Sequence, residues 1–156
     1  MKLKIGEKAS DFVLSDQDGK THALKNYAGQ WVLIYFYPKD DTPGCTVEAC
    51  GFRDNLPKFK KSGLTVLGIS ADSVASHKKF AQKFALPFPL LSDESKATIK
   101  KYGVWGKKSF MGRTYDGIFR TSFLIDPRGK IAKIYEKVKP SIHAQEVLDD
   151  LNGLMI

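Results

Sequence analysis

Apolar positions along the chain fall into runs of two kinds. Three runs are nearly continuous: Trp31-Val-Leu-Ile-Tyr-Phe-Tyr37, Leu64-Thr-Val-Leu-Gly-Ile-Ser70 and Arg120-Thr-Ser-Phe-Leu-Ile-Asp126. Short, unbroken and rich in β-branched and aromatic residues, they predict strands covered on both faces. Ile131-Ala-Lys-Ile-Tyr-Glu136 alternates instead, as a half-buried hairpin partner does, across the turn Pro127-Arg-Gly-Lys130. Other apolar residues recur at helical spacing. Phe52, Leu56 and Phe59 form one stripe. Val74, His77, Phe80, Ala81 and Phe84 form a second behind the cap Asp72-Ser73, and Ile142, Leu148 and Leu151 a third, in a helix from about 141 to 151.

The remaining segments are set by breakers. Residues 3–24 predict an N-terminal hairpin, Phe12-Val-Leu14 and His22-Ala-Leu24 flanking an Asp18-Gly19 turn. Pro87 and Pro89 interrupt regular structure, Leu90-Leu-Ser-Asp93 leads to a short helix near 95–101, and the glycine-rich stretch 103–117 predicts a loop over one end of a sheet. The order is then β-α-β-α-β-β-α behind a hairpin. It predicts an α/β fold: a mixed sheet with helices on both faces and its last two strands antiparallel. Without a repeat or a linker, residues 1–156 are expected to form one domain.

The polar segment after the first long strand carries the chemistry. Pro38 cannot donate to a ladder and ends the strand. Lys39-Asp-Asp41 predicts a turn, Thr42 an N-cap and Pro43 the first helical position. Cys45 then falls in the first helical turn, where free backbone N–H groups and the helix dipole favour an anion and are expected to lower the thiol pKa. A cysteine there is either such a nucleophile or buried packing. Cys45 and Cys50 are the two cysteines of the chain. Five residues apart on a helix, their Cα atoms would lie roughly 8–9 Å from each other, beyond the ~7 Å limit of a disulfide. Gly51 weakens the helix at that point, and Pro57 is expected to limit its length. The pattern suggests a helix that presents Cys45 when reduced and unwinds locally when the pair oxidises.

Composition narrows the setting. Hydrophobic residues are 42% and charged residues 27% of 156, which places the chain among ordinary globular proteins. No apolar run approaches a membrane span, and the start lacks a signal-peptide core, so a cytoplasmic location is expected. There a close cysteine pair serves catalysis or metal binding more often than structure. The net charge of +8 is spread along the chain in short lysine runs, without the aromatic-interleaved patch of a nucleic-acid binder. The three histidines, His22, His77 and His143, have no ligand spacing for zinc and are expected to be surface residues. Phe110 and Tyr115 either line an entrance or pack within the 103–117 loop.

The stretch Pro38-x-x-x-Thr42-x-x-Cys45 resembles the signature of peroxiredoxins. Its framing, Tyr35-Phe-Tyr-Pro-Lys-Asp-Asp-Thr-Pro-Gly-Cys-Thr-x-Glu-Ala-Cys50, is similar to that of the bacterioferritin comigratory protein, or peroxiredoxin Q, subgroup. Gly6-Glu-Lys-Ala-Ser-Asp-Phe12 and Gly117-Ile-Phe-Arg-Thr-Ser-Phe-Leu-Ile-Asp126 extend the resemblance to nearly the whole chain. It implies a thioredoxin-like fold and a peroxidase acting on hydrogen peroxide and small organic hydroperoxides. Cys45 would attack the peroxide and become a sulfenic acid. Cys50 would resolve it as an intramolecular disulfide, and a thioredoxin-like reductant would reopen that bond. Thr42 would hydrogen-bond thiolate and peroxide, Pro38 would shield them from water, and Arg120 would hold the thiolate and the leaving oxygen. Glu48 would orient Arg120. No metal or organic cofactor is implied, and a resolving cysteine in the same chain favours a monomer. Two other readings remain: a thiol–disulfide exchange or redox-sensing module using the same pair, and a binding domain with a structural disulfide.

Overall fold

The structure, a computed structural model, describes residues 3–155. The three apolar runs become the middle of a seven-stranded mixed sheet. β3 (Trp31–Phe36) lies between β4 (Leu64–Ser70), parallel to it, and β8 (Thr121–Ile125), antiparallel to it. β9 (Ile131–Tyr135) closes one side as the antiparallel hairpin partner of β8. On the other side β5 (Leu90–Ser92) runs parallel to β4 and joins the N-terminal hairpin of β1 (Val13–Ser15) and β2 (Thr21–Ala23). The spatial order is β2-β1-β5-β4-β3-β8-β9. The expected hairpin, central strands and antiparallel end are all present, in a thioredoxin-like arrangement.

Alternation along β3 feeds two cores. Leu33, Tyr35 and Tyr37 face α1 (Pro43–Lys61), α4 (His143–Leu154) and Phe80 of α2 (Val74–Phe84). Val32, Ile34 and Phe36 face Ile99 of α3 (Ala97–Lys101), Tyr102 and the N-terminal Ala9 and Phe12. Helices therefore cover both faces. Ser73 caps α2 by accepting from Ser76 N–H at 3.1 Å.

Five local expectations are corrected. First, residues 103–117 hold a second, two-stranded antiparallel sheet, β6 (Trp105–Phe110) and β7 (Arg113–Ile118). Its turn is Met111-Gly112, both at positive φ (50° and 80°), the geometry of a tight hairpin. Both strands are largely solvated, so they lack the apolar alternation that announces a strand. Second, Leu90–Ser92 is a strand and not merely a lead into a helix; three residues are too few to show a period. Third, α1 runs through Pro57 to Lys61, because Leu56 and Phe59 on either side are buried and tertiary packing outweighs one missing hydrogen bond. Fourth, Ile142 is 52% exposed; it precedes α4, whose inward face is Ala144, Val147, Leu148 and Leu151.

The fifth concerns the histidines. His77 and His143 are fully buried because both ring nitrogens find polar partners. His143 meets Ser122 Oγ at 2.7 Å and Glu146 at 3.0 Å. His77 meets Asp40 at 2.7 Å and the Leu91 carbonyl at 3.1 Å. His22 lies between Asp16 and Tyr27.

Candidate active site

Helix α1 begins at Pro43 with Thr42 at its N-cap, and Cys45 sits in the first turn as expected. The first closed helical bond is Thr46 N–H to Thr42 O, 2.8 Å, so the Gly44 and Cys45 N–H groups precede the helix ladder. The sheet decides where this turn lies. α1 follows the carboxyl end of β3, the end at which open α/β sheets build their sites. Antiparallel β8 starts at that end, because Phe36 is in register with Thr121. Arg120, the residue before β8, is thereby brought to a cysteine 75 positions away.

The contact is direct. Arg120 Nη2 donates to Cys45 Sγ at 3.3 Å, and its Nη1 donates to Glu48 Oε1 at 2.7 Å. Cys45 is 1% exposed and the Glu48 side chain is fully buried. Burial drives the Glu48 carboxyl up to about 7, although Arg120 pulls it back. Burial works against the Arg120 cation, and Glu48 and Cys45 together outweigh it, so its pKa is raised. Gly44 makes room for the guanidinium: a Cβ there would stand 3.1 Å from Arg120 Nη2. Beneath them, the Glu48 Oε2 and Tyr35 hydroxyl oxygens are buried without a hydrogen-bond partner among the described residues.

Thr42 and Pro38 flank this contact in the chain. The Thr42 hydroxyl does not cap the helix; it donates to Lys39 O at 2.8 Å, so its oxygen is left to accept. Pro38 is half-buried in the turn after β3. Cys50, on the next turn of α1, is half-buried, and both cysteines are free thiols. With α1 intact from 43 to 61, they face the helical separation that forbids a disulfide.

A polar network that the sequence did not announce anchors the turn ahead of Cys45. Buried Asp40 accepts from the Tyr37 hydroxyl (2.6 Å) and Ser76 Oγ (2.8 Å) and pairs with His77 (2.7 Å). Its own N–H donates to Asp72 Oδ2 at 2.9 Å. Asp40, Asp72 and His77 bring ligand-type atoms within 4.8 Å of one another. Those atoms already bond Tyr37, Ser76, Ser70 and the backbone, which makes the group a structural clasp. Its signal in the sequence was slight: a histidine on the apolar stripe of α2, opposite an acidic turn.

Thioredoxin-like proteins with redox chemistry at a helix-N-terminal cysteine are the class that this fold and this thiol define. The AhpC/TSA family profile matches residues 5–134. Peroxiredoxin Bcp of Escherichia coli strain K12 is 54% identical over 147 residues, 94% of each chain. Peroxiredoxin Bcp of Bacillus subtilis is 42% identical over 154 residues, 99% of this chain and 98% of that one. A cysteine-to-serine variant of Xylella fastidiosa PrxQ superposes with a TM-score of 0.95 at 36% identity, covering 100% of this chain and 99% of the other. Xanthomonas campestris bacterioferritin comigratory protein, a structure concerned with alkyl peroxide reduction activity, gives 0.90 at 40% identity, covering 99% and 98%. The chain belongs to the AhpC/TSA family, and within it to the Bcp, or peroxiredoxin Q, peroxiredoxins.

Proposed function

We propose that the chain reduces hydrogen peroxide and small organic hydroperoxides, with Cys45 as the attacking thiol and Cys50 as the resolving one. The observation that carries this reading is Arg120 placed on Cys45 Sγ while Glu48 holds its other nitrogen. A thiol that only exchanges disulfides has no need of a cation at the departing oxygen.

The steps follow from the groups present. The Cys45 thiolate attacks the terminal peroxide oxygen; the S–O bond forms, the O–O bond breaks, and the remaining oxygen leaves as hydroxide or alkoxide and takes a proton. Arg120 stabilises the anion before and after the attack. Thr42, its hydrogen committed to Lys39 O, accepts the peroxide O–H and aligns it. Pro38 limits water. The Cys50 thiolate then displaces hydroxide from the sulfenic acid, which forms the disulfide once α1 has unwound locally. A thioredoxin-like dithiol supplies the two electrons that reopen it. Residues 1–156 work as one domain and as a monomer, since both cysteines are in one chain. A reducing compartment such as the cytoplasm suits a cycle that starts from free thiols. Among the described residues no helix is long and apolar enough to cross a membrane.

Stopped-flow mixing of the reduced protein with hydrogen peroxide, read by Trp31 and Trp105 fluorescence, tests the reading. A fast transient that Cys45→Ser abolishes is expected. A wild-type rate no greater than that of a free thiol would sink it and leave thiol–disulfide exchange as the chemistry.

A further inference from the structure

The β6–β7 hairpin lays one lysine along the segment that leads into Arg120. Lys108 pairs across the hairpin with Tyr115, and the next pair on the same face towards the base is Gly106 with Gly117. The Lys108 stem crosses over Gly117, where a Cβ would stand 2.9 Å from Lys108 Cδ. Glycine at 117 is therefore what lets this side chain lie inward. Its Nζ donates to Ile118 O at 2.9 Å, two residues before Arg120. An ammonium has three N–H groups, and the other two have no partner among the described residues.

We propose that Lys108 is a second cation of the Cys45 site, balancing the anion that Arg120 alone leaves uncompensated. The proposal rests on the peroxidase reading above. The charge count explains the need. Above about pH 7, where Glu48 is ionised, Arg120 is matched by Glu48 at 2.7 Å, and a thiolate at Cys45 leaves the trio one negative charge in excess. The alkoxide or hydroxide that replaces the thiolate restores the same excess, until it takes a proton from solvent. Lys108 brings both states to neutrality, and an ammonium at a partly dry site is worth more than at a wet surface. Burial and, after it, the Arg120 cation lower the Lys108 pKa, and Cys45 offsets part of that. On its own hairpin the Lys107–Asp116 pair, at 3.1 Å, is exposed and mutually satisfied.

The test is the peroxide rate constant of wild type, Lys108→Met, Lys108→Arg and Gly117→Ala, measured from pH 5 to 8 at low and high salt. Lys108→Met should react roughly tenfold more slowly, with its rate–pH profile displaced to higher pH and its salt dependence weakened. Lys108→Arg should recover most of the rate. Gly117→Ala, which pushes the stem outward, should lose rate in wild type and none further in Lys108→Met. If wild type is fast and Lys108→Met matches it in rate and pH profile, the second cation is refuted while the peroxidase reading stands. A loss that arginine does not rescue, with an unshifted pH profile, would make Lys108 only a hairpin clamp and equally overturn the proposal. A slow wild type would instead remove the peroxidase reading itself.

Discussion

Glu48 is the costliest group at the site, and its replacement by glutamine gives a sharp test. Its carboxyl has an ordinary value of 4.5 and is pushed up to about 7 by burial, which the Arg120 ion pair only partly offsets. The folded state therefore holds its proton more tightly than the unfolded chain. Stability from this group is complete below pH 4.5, falls as pH rises, and is fully lost above about 7. Each tenfold change is worth ~1.36 kcal/mol, so the loss approaches roughly 3 kcal/mol. Glutamine mimics the protonated acid and carries no such loss. Glu48→Gln should match wild type near pH 4.5 and exceed it by about 3 kcal/mol at pH 8. It should also reduce peroxide more slowly, since Arg120 loses its anchor. Urea unfolding of the reduced proteins, followed by tryptophan fluorescence at several pH values between 4.5 and 8, measures the difference. Taking the difference cancels every contribution that the two proteins share. Parallel stability curves, or a variant weaker than wild type at pH 8, would refute the reasoning.

Three further outcomes are expected. Gly44→Ala would bring a Cβ to 3.1 Å from Arg120 Nη2; it should slow the peroxide reaction severalfold, a cost typical of small misplacements, with unfolding stability held or raised because alanine favours helix by ~1 kcal/mol. Equal rates by stopped flow would show that the guanidinium is not held in place by that space. Cys50→Ser should complete one turnover and stop with Cys45 one oxygen atom heavier by mass spectrometry, and hydrogen exchange on wild type should show residues 45–53 protected when reduced and opened when oxidised. Equal protection in both states would exclude the unwinding step.

Much of this protein is legible in its sequence because it is written in local periods. Unbroken apolar runs such as Trp31–Tyr37 can only be central strands, and Thr42-Pro43 marks where α1 starts, so Cys45 is placed at a helix N-terminus with no knowledge of the fold. The resemblance of the Pro38–Cys50 and Gly117–Asp126 stretches pointed to Glu48 and Arg120, whose residue types alone look like surface charges. Where local signals ran out, the errors had a common cause. Pro57 lies inside α1, and His77 and His143 lie in the interior, because partners distant in sequence outweigh the preference of a single residue. The 105–118 hairpin is held by its own cross-strand pairs and an exposed tip, Phe110 at 66% and Met111 at 87%, so no buried face imposed a period on it. Only the tertiary structure decided the site itself. The antiparallel register of β3 and β8 sets Arg120 on Cys45, Gly44 leaves room for the guanidinium, and Gly117 lets Lys108 turn inward. The first two depend on pairing across long stretches of chain and the third on the register of a hairpin without a buried face, and helical or strand periodicity carries no information about which strand a segment will meet.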